Sequence, residues 1–342
     1  MESRRQNFRL VRPKSSREIT PGRVAISVVV PVYNEESNLG PLYERLSRVL
    51  AKIGTYEILF VDDGSTDNSA SIMRELSAED DRVGACFFSR NFGHEAATSC
   101  GLHHASGQTV AIIDADLQDP PQVLLEMYEQ WKHGYDVVYG QRRSRKNEPL
   151  SVRLTSFLFY YAFRALSKVN MPVNTGDFRL MDEKVVKSFK QFPERNRYVR
   201  GLTFWSGYRQ KAVIFDRDKR FSGRTKYNFF KRASLAFDAI CGISGAPLRL
   251  ATLAGFTTTL FSLFIAAHVI YAKLIHNIPF PGYALLTSGL FCIGGVQLFT
   301  LGLLGEYVGR IYREVQQRPL YVLKEHLGPK YSDDTLEKAG EQ

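Results

Sequence analysis

Residues 110–121 read VAIIDADLQDPP and place four oxygen donors, Asp114, Asp116, Gln118 and Asp119, within six positions. Three carboxylates and a side-chain amide are hard donors suited to Mg²⁺ or Mn²⁺, and a cation held there can carry a diphosphate. The residues before Asp114 are apolar or small and read as a buried parallel strand, while Pro120 and Pro121 suit the first turn of a helix. The donors therefore fall at a strand's carboxyl end, the edge at which open α/β sheets bind ligands. The bland alternative is a solvated acidic turn before a helix, and the rest of the chain decides between the two.

The elements needed to position this loop follow a regular rhythm from Arg23 onward. Strands are predicted over residues 24–32, 56–61, 83–88, 109–113 and 137–139, from β-branched and apolar runs. Helices are predicted over 37–52, from 68 or 69, over 95–105 and over 121–133. This alternation is that of a doubly wound, Rossmann-like α/β domain with a mostly parallel sheet. The loops after the strands are PVYNEE (31–36), VDDGSTD (61–67) and SRNFGHE (89–95), so polar groups from several strands face one crevice. There Asp62 or Asp63 can hydrogen-bond a nucleoside, Tyr33 can pack against its base, and Gly64 and Gly93 allow close backbone approach.

With 342 residues, 44% of them hydrophobic, the chain exceeds one ordinary domain. The 45 Lys and Arg against 35 Asp and Glu give a formal charge of +10, which favours phosphorylated or anionic partners without choosing among them. Four separated cysteines (86, 100, 241 and 292) contain no Cys-x-x-Cys pair, so they suggest neither a zinc site nor a disulfide framework, and a reducing compartment is the simplest setting. Residues 1–22 are basic and polar, without the apolar core of a secretory signal, and read as a flexible arm.

In combination, VVVPVYNEE, VDDGSTD and DADLQDP closely resemble the family-2 glycosyltransferases of the GT-A fold. The resemblance continues through NTGDFRL (174–180) and RFSGRTKY (220–227) to the branch that glycosylates polyprenyl phosphates, the dolichol-phosphate mannose synthases and bactoprenol glucosyl transferases. Thr225 stands where that branch more commonly has Ser. The resemblance implies a nucleotide-binding set of Pro31, Tyr33, Asn34, Glu35, Asp62, Asp63, Gly93, His94 and Ala115. It implies a cation on Asp114, Asp116 and Gln118, with Asp114, Asp116, Asp177, Arg142 and Arg153 as the catalytic set. Acceptor phosphate and diphosphate would meet Arg142, Arg153, Ser156, Arg179, Arg220 and Lys226. The implied reaction is inverting hexosyl transfer, with UDP-glucose favoured as donor and polyprenyl phosphate as acceptor. Transfer of mannose, GlcNAc or an aminosugar is the alternative.

The catalytic domain at 23–226 includes one amphipathic segment, 149–169, and is followed by a second, 227–246; both are expected to lie at a membrane interface. Residues 247–275 and 283–308 are expected to cross a bilayer as a two-helix hairpin, with 309–342 as a tail. Basic residues flanking the hairpin then place the catalytic domain and both termini in the cytoplasm, with the bilayer as a partner. Glycines in the second segment admit a homo-oligomer through the spans. No nucleic-acid partner is expected. A processive polysaccharide synthase is disfavoured because no Gln-x-x-Arg-Trp segment is present, and a nucleotidyltransferase because the Gly-rich, Arg-containing first loop is missing. A non-catalytic membrane scaffold leaves the intact Asp114, Asp116 and Gln118 without a purpose.

Overall fold

The computed structural model describes residues 17, 20, 22–143, 172, 175–192, 194, 197–217, 246–276 and 282–329. The chain divides into two compact units, one of residues 1–149, 170–226 and 319–342, the other of 150–169 and 227–318.

The first unit is built on one eight-stranded sheet. Its strands are β1 (Ile26–Val32), β2 (Tyr56–Asp62), β3 (Val83–Phe88), β4 (Thr109–Ile112), β5 (Val137–Arg142), β6 (Thr175–Asp182), β7 (Gln210–Phe215) and β8 (Leu323–Leu327), in the order β7-β5-β6-β4-β1-β2-β3-β8. Strands β1 to β4 are mutually parallel, as their alternation with helices requires. Every residue of β1, β2 and β3 is buried. Both faces of these strands are covered, which explains their near-continuous apolar runs.

On one face Ile26, Val28, Val30 and Val32 of β1 join a core with Leu39, Leu42 and Leu46 of α1 (Glu36–Leu50), Met73 of α2 (Ser69–Glu79), and Leu124 and Met127 of α4 (Val123–Lys132). On the other, Val29 packs with Leu102 of α3 (His94–His104), with Val185, Val186 and Phe189 of α5 (Glu183–Gln191), and with Val199 of α6 (Val199–Trp205). The period of two along β1 thus divides its side chains between two helical layers.

Two features depart from a simple run of parallel crossovers. Strand β6 is antiparallel to both β4 and β5, with Ile112 opposite Arg179 and Gln141 opposite Thr175. Its first residues therefore arrive at the same sheet edge as the carboxyl ends of β4 and β5. Strand β8, from the expected tail, pairs antiparallel with β3, and Tyr321 stacks on Phe88 at 4.9 Å between ring centroids. Within the expected flexible arm, Arg17 is likewise fixed: its guanidinium pairs with Asp182 at 2.7 Å and with Asp136, and donates to the Tyr135 carbonyl at 3.0 Å.

The second unit contains α7 (Ala246–His276) and α8 (Tyr283–Val315), which pack together. Among the described residues no helix is long and apolar enough to cross a membrane. This overturns the two-span membrane placement, and with it goes the ground on which the orientation and the self-association through the spans were argued. An apolar run free of acidic residues is a weaker condition than about 20 predominantly apolar residues in succession. Thr252, Thr257, Thr258, Thr259 and Ser262 place hydroxyls along α7, and Gln297, Thr300 and Glu306 interrupt α8. The Thr252, Thr259 and Thr300 hydroxyls donate to carbonyls one turn back, at 2.8 to 3.0 Å. The expected amphipathic segments 149–169 and 227–246 lie outside the described residues except for Ala246, the first residue of α7.

Candidate active site

The register brings one set of polar groups to a single sheet edge: the loops after β1, β2, β3 and β4, the end of β5, the start of β6 and the residues just past β7. The first two loops are laced together. Asn34, at φ +56°, accepts the Thr66 N–H at 2.7 Å through Oδ1, and its own N–H donates to Ser65 at 3.0 Å. Such a left-handed residue is tolerated in Asn because its short side chain bonds locally. The Glu35 carboxylate accepts from Asn38, and the Glu35 N–H donates to Ser69 at 3.0 Å. Pro31 follows Val29, the last β1 residue paired with β4, so its missing N–H falls beyond that ladder. Tyr33 is 47% exposed, which leaves its ring face available to a base.

Asp62 and Asp63 are both buried, and their bonds are internal. Asp62 accepts the Ser65 N–H at 3.0 Å, while Asp63 accepts the N–H groups of Phe92 and Gly93 at 2.6 to 3.1 Å. Burial pushes the Asp63 carboxyl up, against the pull of those two donors. Gly64 serves the same joint: at φ +71° a Cβ there would lie 2.5 Å from the Arg90 carbonyl carbon. The close approach expected of Gly64 is thus to the loop after β3.

The acidic loop follows β4. Leu117 adopts φ +59° with its side chain buried in the main core, a conformation that costs a non-glycine residue roughly 1–2 kcal/mol. It separates Asp116 from Gln118, whose N–H donates back to Asp116 at 3.1 Å. Ala115 and Asp119 are buried, and Asp114 and Asp116 are partly so. Burial raises the Asp114 carboxyl, with opposition from His94, and lifts Asp119 to about 6 against Arg142.

Two guanidinium groups face this loop. Arg142, last residue of β5, lies 3.5 Å from Asp119, and Arg217, two residues past β7, lies 3.7 Å from Asp116 and 3.8 Å from Asp119. In both, Nε is buried with no hydrogen-bond partner among the described residues. A buried donor left unpaired costs about 1–3 kcal/mol, so these nitrogens call for an anionic ligand.

On the other side His94 Nε2 lies 3.8 Å from Asp114 and 3.7 Å from Asp177. Burial works to lower the imidazole, and the charges of Asp114, Asp177 and Glu95 outweigh it and raise it. Asp177 is gripped by Arg200 through two bonds, at 3.2 and 2.8 Å. Burial would raise this carboxyl, but Arg200 holds it well below the usual carboxylate range. Glu95 accepts the Val199 N–H at 3.0 Å, and burial together with Asp177 pushes it up to about 7.

Arg179 corrects the sequence-based assignment. It is 0% exposed and donates to the Asp177 carbonyl at 3.2 Å, the Thr203 hydroxyl at 2.7 Å and the Gly176 carbonyl at 3.0 Å. Burial brings its guanidinium down to about 10. Its donors are spent on the backbone that carries Asp177, so it shapes the site from beneath and faces no acceptor. Arg153, Ser156, Arg220 and Lys226 lie outside the described residues. Glu95, Arg200 and Arg217 were not singled out as site residues from the sequence. Glu95 had a signal as the last residue of the SRNFGHE loop, and Arg217 as a neighbour of the basic segment 220–227; Arg200 had none, because α6 reaches the edge through packing that no local pattern announces.

These are the parts of a nucleotide-sugar transferase, and the chain belongs to glycosyl transferase family 2, whose model matches residues 27–189. It is 44% identical over 309 residues to an uncharacterized glycosyltransferase of Synechocystis sp., covering 90% of this chain and 97% of that one. It is 40% identical over 301 residues to the SfII prophage-derived bactoprenol glucosyl transferase of Shigella flexneri, covering 87% and 97%. Among solved structures, glucosyl-3-phosphoglycerate synthase of Mycobacterium tuberculosis, in complex with Mn²⁺, UDP and phosphoglyceric acid, aligns with a TM-score of 0.48 at 19% identity. That alignment covers 64% of this chain and 77% of the other.

Proposed function

We propose that this enzyme transfers a hexose, glucose from UDP-glucose first among the candidates, to the phosphate of a polyprenyl phosphate with inversion at the anomeric carbon. The observation that carries the reading is the opposition of Asp116 and Asp119, on the loop that also carries Asp114, to Arg142 and Arg217, whose buried Nε donors lack partners among the described residues. Carboxylates on one side suit a cation bound to the donor diphosphate, and guanidinium groups on the other suit a phosphate. The 40% identity with a bactoprenol glucosyl transferase supports the choice of acceptor.

The donor set fits a divalent cation. Mg²⁺ and Mn²⁺ sites of this kind use one or two carboxylates and complete their shell with substrate phosphates, and Asp114, Asp116 and the Gln118 amide supply such a partial set. When bound, the cation would neutralise charge on the departing nucleotide diphosphate.

The remaining steps belong to side chains. Tyr33 offers a face for the base, and the laced loops around Asn34, Glu35, Asp62 and Asp63 hold the nucleoside end of the crevice in one shape. A phosphate oxygen of the acceptor is already ionised near neutral pH, so it attacks the anomeric carbon without a strong base. The C–O bond to the diphosphate breaks as the new C–O bond forms. Asp177, pinned as an anion by Arg200, then acts as a fixed charge that orients His94 and favours positive charge developing on the sugar. Arg142, with Arg153 on the acceptor side, holds the incoming phosphate.

The test incubates the purified chain with radiolabelled UDP-glucose, other sugar nucleotides and polyprenyl phosphate, and follows label into organic extract. Acid-labile hexosyl phospholipid is expected, formed best from UDP-glucose. Arg142→Ala and Arg153→Ala should raise KM for the polyprenyl phosphate about 10- to 100-fold with nucleotide affinity nearly unchanged. Label appearing only in water-soluble products would overturn the acceptor assignment.

A further inference from the structure

A second group of ligating side chains lies away from the acidic loop, where β8 joins the sheet. Cys86 on β3 is the register partner of His326 on β8, so the two residues stand directly opposite each other across an antiparallel pair. Cys86 Sγ and the ring nitrogens of His104 and His326 all lie within 4.8 Å of one another. The His104 and His326 rings are 4.3 Å apart between centroids. Cys100 precedes His104 by one turn of α3, on the same helix face, and packs with Cys86 in one buried cluster, so it stands beside the three grouped ligands as a fourth.

We propose that Cys86, Cys100, His104 and His326 form a tetrahedral site for a borderline-soft divalent cation of the Zn²⁺ class, which fastens β8 to β3 and α3. Two sulfurs and two imidazole nitrogens are a common structural set for Zn²⁺ and a poor one for Mg²⁺, so this site is separate from the cation on the acidic loop. On binding, the two thiols release their protons to solvent and both imidazoles coordinate as neutral ligands. The resulting dithiolate offsets the dication, which leaves a neutral centre in a largely apolar setting. The apolar wall is present: Cys86 and Cys100 are buried among Val61, Phe88, Ala96 and Ala97, with His326 on the exposed side as an entry. Bonds of about 2.3 Å to sulfur and about 2.0 Å to nitrogen bring ligand atoms to roughly 3.5 Å apart, a closure that side-chain rotation supplies. The ligands come from two strands and a helix, and His326 lies far along the chain, so no Cys-x-x-Cys spacing marks them.

The full chain, purified under reducing and metal-free conditions, is titrated with Co²⁺. One equivalent is expected to give an intense near-ultraviolet thiolate-to-metal band with the visible bands of tetrahedral cobalt, displaced by one equivalent of Zn²⁺. Cys86→Ser and His326→Ala should each weaken Co²⁺ binding by more than about 100-fold and remove or shift the thiolate band. Asp116→Asn should leave the spectrum unchanged, which keeps this proposal distinguishable from the transferase reading. Should the variants misfold, the wild-type chain is alkylated with iodoacetamide, and Zn²⁺ should protect Cys86 and Cys100. Absence of a thiolate band, retention of the band in both ligand variants, or recovery of Cys86 and Cys100 as a disulfide from anaerobically prepared protein would each overturn the site.

Discussion

Two carboxylate–guanidinium assemblies share one sheet edge and differ by about 1 Å or less in their contacts. Arg200 holds Asp177 through two bonds, at 3.2 and 2.8 Å, whereas Arg142 and Arg217 stand 3.5 to 3.8 Å from Asp119 and Asp116. The first assembly is closed, with its charges satisfied by each other. The second is open: its carboxylates and guanidinium groups attract at a distance while two buried Nε donors go without an acceptor. Charge pairs that complete one another build structure, and charge pairs that stop short of contact leave room for a cation and a phosphate between them. The backbone beneath enforces the difference, since Arg179 ties the start of β6 to Thr203 and Gly176 while Leu117 turns the acidic loop at a strained angle.

The largest effect should come from the open assembly. Asp116→Asn is expected to lower transfer at least ~10³-fold with folding intact, because the departing diphosphate loses charge compensation worth several kcal/mol. Radiolabel transfer and circular dichroism on the same preparation check it. Full turnover of wild-type enzyme in EDTA would remove the cation from the reading.

Exchanging the damage between the two assemblies sharpens the contrast. Arg217→Ala should cut transfer about 10²-fold and change stability by less than ~1 kcal/mol. Arg200→Ala should destabilise the fold by about 3 kcal/mol, since it strands Asp177 in a mostly buried place. Urea unfolding beside initial rates separates the two, and equal destabilisation by both would erase the distinction.

A pH effect comes next. Glu95 and Asp119 have folded pKa values raised to about 7 and about 6, above their unfolded values. The folded state thus binds more protons than the unfolded one between about pH 4 and 7. Stability should fall as pH rises through that window, by about 3 kcal/mol for each group at most. Glu95→Gln should flatten its share of the slope in denaturation curves taken at successive pH values.

The smallest effect is expected at the surface pair Arg74–Glu325, which joins α2 to β8 at 2.7 Å with both side chains about a third exposed or more. Glu325→Gln should cost less than ~1 kcal/mol, and less still at high salt. A loss in thermal melting as large as that of Arg200→Ala would mean that exposed and enclosed pairs in this protein do not differ in kind.

Local chemistry was sufficient for much of the catalytic unit. Buried β-branched runs in β1 to β4 can be satisfied only by a sheet covered on both faces, and the polar loops that follow them can lie only at its carboxyl edge. The acidic loop, Tyr33, and the pairing of carboxylates with phosphate chemistry were therefore legible in residue order alone. Long-range pairing decided the rest. The antiparallel entry of β6 delivers Asp177 to the edge and sinks Arg179 beneath it, while the end of β7 brings up Arg217 and α6 brings up Arg200. The return of the chain end as β8 sets His326 opposite Cys86. The apolar content of α7 and α8 suggested membrane spans, yet no described helix is both long and apolar enough to cross a membrane. Period and composition report what a residue's neighbours in sequence require, whereas register across a sheet depends on partners far along the chain, and no local pattern encodes which of two arginines meets its carboxylate and which stops short.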